Sequence, residues 1–220
     1  MRMVKTFGVA VVVLVAITAV MSATASAVVV MLPEVEDKWT GTSGSGTLEV
    51  LPGGVTSEIV CKADTSEGTI EKSGKLGLFH IHFTGCKASI VPCTGLSDKE
   101  GEILTLGTYH LVYDKLAPVG AGILFLVEAT HFTCAGKLFI IEGQVLCLIK
   151  PINTKTKHFE IVCEQEKGDP KETVYWNDKG EEVKMGLNLL LSKENEGAGK
   201  GAGELTTALI LTTKEFELMA

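Results

Sequence analysis

The 220-residue chain is poor in aromatic residues, at 6%, and it lacks any cluster of basic side chains interleaved with them. It carries a formal net charge of −7. Without a positive patch there is no electrostatic footprint for phosphate backbones, so nucleic acid is excluded as an expected partner. Outside the first segment no window repeats apolar residues at i, i+3, i+4 and i+7, which excludes helical architectures. Hydrophobic content is 45%, too high for a disordered chain and enough to fill a core.

The N-terminus, "MRMVKTFGVAVVVLVAITAVMSATASA", has the layout of a secretory signal peptide. Arg2 and Lys5 precede an apolar run, and Ala23-Thr24-Ala25 and Ala25-Ser26-Ala27 fit the small-x-small pattern of a cleavage site. Cleavage after Ala27 is expected, with Ala25 the secondary site. Loss of Arg2 and Lys5 would take the net charge from −7 to −9. The uncharged stretch continues to Pro33, so an uncleaved single membrane anchor is the alternative to a secreted or cell-surface protein.

The remainder reads as short β-branched strands separated by turn signals such as Pro52-Gly53-Gly54, Ser73-Gly74-Lys75 and Asn177-Asp178-Lys179-Gly180. The expectation is an all-β domain, a two-sheet antiparallel sandwich, with a partly open β-barrel as the alternative. The domain organisation is a signal peptide over 1–27, a flexible lead-in over 28–45 that ends in the Gly/Ser-rich "TGTSGSG" at 40 to 46, and a single β domain over 46–220. "GILFLV" and "ALIL" are apolar on both sides and read as strands covered on both faces.

No motif for catalysis is complete. "GAGKG" at 197 to 201 has Glu194 where a phosphate loop needs glycine, and Gly201 where it needs Ser or Thr. Ser43 in "GTSGSG" has Gly41 two before it but Ser45 two after, so it is not a nucleophile elbow. "LFHIHFTGC" at 78 to 86 places His80 and His82 on one side of a strand, near enough to share a metal. A third ligand would have to be His110, His131 or a carboxylate such as Glu128, and nothing in the sequence brings one there. The simpler reading is that Phe79, Ile81 and Phe83 take the core and the histidines face water. No catalytic residue, metal or cofactor is assigned.

Six cysteines in an exported chain point to disulfides. Cys147 and Cys163 lie on the apolar side of strands flanking "KPINTKTKH". If those strands form a hairpin, the two stand nearly opposite each other. Cys61, Cys86, Cys93 and Cys134 allow three pairings. A meander over 57 to 83 would bring Cys61 to Cys86 and leave Cys93 to Cys134. A short Cys86–Cys93 loop is the rival.

"FTGC" at 83 to 86, Cys93, "GEILT" at 101 to 105, "LVY" at 111 to 113, "FTC" at 132 to 134 and "EGQVLCLIKPIN" at 142 to 153 occur in a series. The series resembles a family of secreted, β-rich, uncharacterised proteins with many paralogues in soil actinobacteria. The resemblance spans roughly residues 55 to 220. It implies secretion, a bacterial source and a β fold, with the four cysteines 61, 86, 93 and 134 at family positions and Cys147 and Cys163 outside them. It implies no activity, cofactor or site residue.

Three functions follow from these readings. The leading one is a non-catalytic exported structural or binding module at the cell envelope. A carrier of an apolar small ligand is second, with strands 122 to 127 and 208 to 211 as candidate cavity walls. An extracellular hydrolase is third.

Overall fold

The structure is a computed structural model that describes residues 29–50, 57–116, 119–163, 173–177, 179, 181–185, 187–191, 198–199, 201–204 and 206–220. The signal segment, its cleavage sites and Lys200 lie outside these residues. All the described elements are strands. The chain begins with β1 (Val30–Leu32) and β2 (Asp37–Ser43), then the pair β3 (Gly46–Val50) and β4 (Ser57–Cys61). β5 (Ala63–Ile70) and β6 (Leu76–Thr84) form the next hairpin, followed by the short β7 (Lys87–Ala88) and β8 (Val91–Thr94). Three long strands come next, β9 (Glu102–Leu116), β10 (Val119–Cys134) and β11 (Lys137–Lys150), then β12 (Lys155–Cys163). β13 (Thr173–Trp176), β14 (Glu182–Met185), β15 (Leu187–Leu191), β16 (Ala198–Gly199) and β17 (Gly201–Glu204) lead to β18 (Thr206–Met219).

The ladders close on themselves. β2 pairs with β5, β5 with β6, β6 with β9, β9 with β10, and β10 with β11. β11 pairs with β12, β12 with β18, and β18 returns to β2, every pair antiparallel. β1 lies along the far end of β18 and shares the place of β2 in the ring; Pro33, which has no N–H to donate, stands between them. These nine strands make a closed barrel, not the expected two-sheet sandwich. Alternation of apolar and polar residues gives a strand one dry and one wet face, which both architectures require. Only the β18–β2 ladder, joining the two ends of the chain, removes the open edges a sandwich would keep.

Two local features mark the long strands. β9 runs unbroken through Gly107. A Cβ at Gly107 would come 2.1 Å from the Leu126 carbonyl oxygen and 2.8 Å from the Phe79 ring, so close approach, not a turn, requires glycine there. In β10 the register shifts between Val127 and Thr130. That bulge changes the parity, so Phe125, Val127 and Phe132 all line the interior.

Where the sequence was read as a flexible lead-in over 28–45, residues 30–32 and 37–43 form β1 and β2 of the ring, with Trp39 buried. "GILFLV" is covered on both faces: Ile123 and Phe125 face the core, while Leu124 packs outside with Val112, Leu146 and Tyr175 of β13. "ALIL" is not. Ile210 is buried, but Leu209 and Leu211 are exposed on the outer surface.

A smaller sheet, β17–β3–β4–β7–β8, covers one end of the barrel and joins it where β8 pairs with β10. Its Ile59 and Leu48 pack with Ile103, Phe132 and Phe139 from the ends of β9, β10 and β11. The main core, around Phe79, Tyr109, Phe159 and Phe216, fills the barrel deeper in.

Candidate functional site

Between those two clusters the barrel is not filled. A cavity of about 240 Å³ remains, with Phe79, Phe125 and Trp39 on the deep side, Ile59 and Leu48 from the end sheet above, and Ile81, Val145 and Ile161 among its walls. A barrel of about eight strands is near the width at which side chains either just fill the interior or leave room for one small ligand. Engineered apolar cavities of about 150 Å³ stay dry and take up benzene. The gap here exceeds that size.

One wall is polar. On β5 the residues Asp64, Ser66 and Ile70 are buried while Thr65 and Glu67 are exposed, so the strand turns two polar side chains inward. Asp64 stands opposite Ser43 across the β2–β5 ladder, and the Ser43 hydroxyl donates a hydrogen bond to Asp64 Oδ2. Asp64 is 6% exposed. Burial pushes its carboxyl above the ordinary value, and the Ser43 hydrogen bond offsets this only in part. Thr105 and Thr47 are the other polar side chains at the cavity. Among the described residues that line it, Asp64 alone titrates, since the cysteines there are oxidised.

The six cysteines form three bridges: Cys61–Cys86, Cys93–Cys134 and Cys147–Cys163. Cys93 stands directly opposite Cys134 in the β8–β10 ladder, tying the end sheet to the barrel. The β11–β12 register, with Leu148 opposite Val162, brings Cys147 to face Cys163. Cys61, Cys147 and Cys163 also line the cavity, so the bridges shape its wall as well as restricting the unfolded chain.

His80 and His82 lie on the outer face of β6. His80 Nδ1 is 3.7 Å from Glu67 Oε1, and His82 Nε2 is 3.0 Å from Glu102 Oε2. Each imidazole thus has its own carboxylate. His110 stands opposite Leu76 and His131 opposite Ile140, at other positions along their strands. Among the described residues no three His, Cys, Asp or Glu side chains converge as a metal site. Burial pushes the Glu102 carboxyl up, but the His82 hydrogen bond and the Lys99 charge outweigh it and hold the group below its ordinary value. Ser43, examined in the sequence as a nucleophile, meets Asp64 and no histidine.

Sequence reasoning missed Asp64, Ser66 and Trp39. "ADTSEGTI" is polar on both sides, so its alternation holds no signal of which side turns inward. Comparison with protein-family models, with curated proteins and with solved structures yields no match. Among the described residues no helix is long and apolar enough to cross a membrane.

Proposed function

We propose that this protein is an exported, non-catalytic binding module that carries one small apolar molecule inside its barrel. The cavity between the barrel core and the end sheet supports this reading above the others. Export is supported by the charged, apolar and small-residue layout of the first 27 residues and by three disulfides, which persist in oxidising compartments. The motif series that resembles one of secreted β-rich proteins supports the same reading, at the cell envelope or its surroundings. The hydrolase reading gains no support, because no histidine lines the cavity among the described residues.

Scaling from benzene in an engineered cavity, the ligand has about ten non-hydrogen atoms. Naphthalene is therefore the probe. At a concentration 100 times its Kd it would stabilise the native state by about 2.7 kcal/mol, which raises the melting temperature by several degrees. Ala208, on the cavity wall, offers a filling variant. Ala208→Leu should weaken naphthalene binding at least tenfold while the unliganded protein melts no lower. An absence of both heat and thermal shift with naphthalene overturns the proposal. So does unchanged binding in Ala208→Leu.

A further inference from the structure

A purely apolar ligand would leave the polar wall unexplained. Asp64 is inward-facing by strand parity, on the same face as Ser66 and opposite Ser43. Its Oδ2 accepts from Ser43, and the Ser66 side chain shares the same cavity wall. No lysine, arginine or histidine lines the cavity among the described residues, so nothing on the wall balances a carboxylate. An acidic group in a water-poor site is costly unless it is paired and hydrogen-bonded.

We infer that Asp64 is the head-group contact of this cavity, and that the ligand is a small apolar molecule bearing a single ammonium. The inference rests on the binding function proposed above and names the class of ligand. An ammonium supplies the missing opposite charge and up to three donors, which Asp64 Oδ1 and the Ser66 hydroxyl, two residues along the same strand face, are placed to accept. The apolar remainder of the ligand lies against Phe125, Ile81, Val145 and Ile161. A carboxylate ligand would set two negative charges together, and an alcohol would leave Asp64 without a cation. The overall acidity of the chain favours approach of a cation over an anion. Burial that pushes the carboxyl up is the same desolvation that an ion pair would offset.

The test compares n-octylamine, n-octanol and n-octanoate, matched in length and near the expected size, by calorimetric titration at pH 8. The amine should bind at least tenfold more tightly than the alcohol, and the octanoate most weakly. In Asp64→Asn the preference for the amine over the alcohol should vanish while the alcohol still binds. Should that variant fold poorly, the wild type carries the same test. The residues that stand opposite Asp64 are Ser43 on β2 and Phe83 on β6, and neither these nor any other described residue lining the cavity titrates beside it. Octylamine stays charged throughout, so its advantage should fade only as acid protonates Asp64. Equal binding of amine and alcohol by the wild type, or a preference surviving in Asp64→Asn, overturns the inference and leaves the apolar carrier standing. Failure of all three probes and of naphthalene defeats the carrier reading itself.

Discussion

Gly68 faces the indole of Trp39 across the β2–β5 ladder, and a Cβ on Gly68 would lie 2.3 Å from the Trp39 ring and 2.4 Å from the Leu78 carbonyl oxygen. The indole can lie against the strand only because that side chain is missing. Trp39, packed edge-on to Tyr109 at 6.3 Å between ring centroids, walls the deep side of the cavity. Gly68→Ala should therefore destabilise the protein by about 1–3 kcal/mol through overpacking. Urea unfolding would show a lower midpoint at unchanged slope. A loss below about 0.5 kcal/mol, the range of ordinary surface changes, would contradict this packing.

Two carboxyl groups should shape the pH profile with opposite signs. Burial pushes Asp37 up, but hydrogen bonds from the Thr213 hydroxyl and the backbone N–H groups of Lys214 and Lys38 outweigh it, and the group is held below its ordinary value. The stability it contributes is present above the unfolded pKa of about 3.9 and is lost as pH falls through the lower folded value. Asp64 is raised by burial, so its penalty is absent below about pH 3.9 and grows as pH rises through the folded value. Asp37→Asn should flatten the loss of stability in acid. Asp64→Asn should remove the decline on the other side. Urea midpoints across a pH series decide both, and a steeper profile in either variant would reverse the assigned sign.

Oxidation of the cysteines is a third expectation. Thiol titration of unfolded, unreduced protein should find no free thiol, because all six cysteines are paired. Removing the bridges one at a time with paired alanine substitutions should cost about 3 to 4 kcal/mol each on the chain-entropy account. Cys93–Cys134, at a sequence separation of 41, should cost more than Cys147–Cys163, at 16. A reversed order would mean that native packing at the cavity wall outweighs loop closure.

The outward histidines should matter little. His82 and its partner Glu102 are both partly exposed, and exposed ion pairs contribute little to stability. His80→Ala combined with His82→Ala should leave the urea midpoint nearly unchanged, and zinc should leave the wild-type melting temperature unmoved. A zinc-dependent rise that the double variant abolishes would establish a metal site on this face.

Local pattern alone carried much of the architecture. Period-2 alternation marks β6, β11 and β12, puts Phe79 inside and His80 outside, and sets Cys147 against Cys163 across a short connection. These are contacts between neighbours in the chain, where spacing and turn residues fix the register. The closure of the ring was not legible. The β18–β2 ladder joins Thr212 to Trp39 and Ala208 to Ser43, and no local alternation reports a partner so far along the chain. Alternation also says that a strand has two faces, not how strongly the sheet curls, so sandwich and barrel read alike until the last pair forms. The cavity wall was hidden for the same reason. The segment "ADTSEGTI" is polar on both sides, and the ladders to β2 and β6 alone decide that Asp64 and Ser66 turn inward while Thr65 and Glu67 meet water.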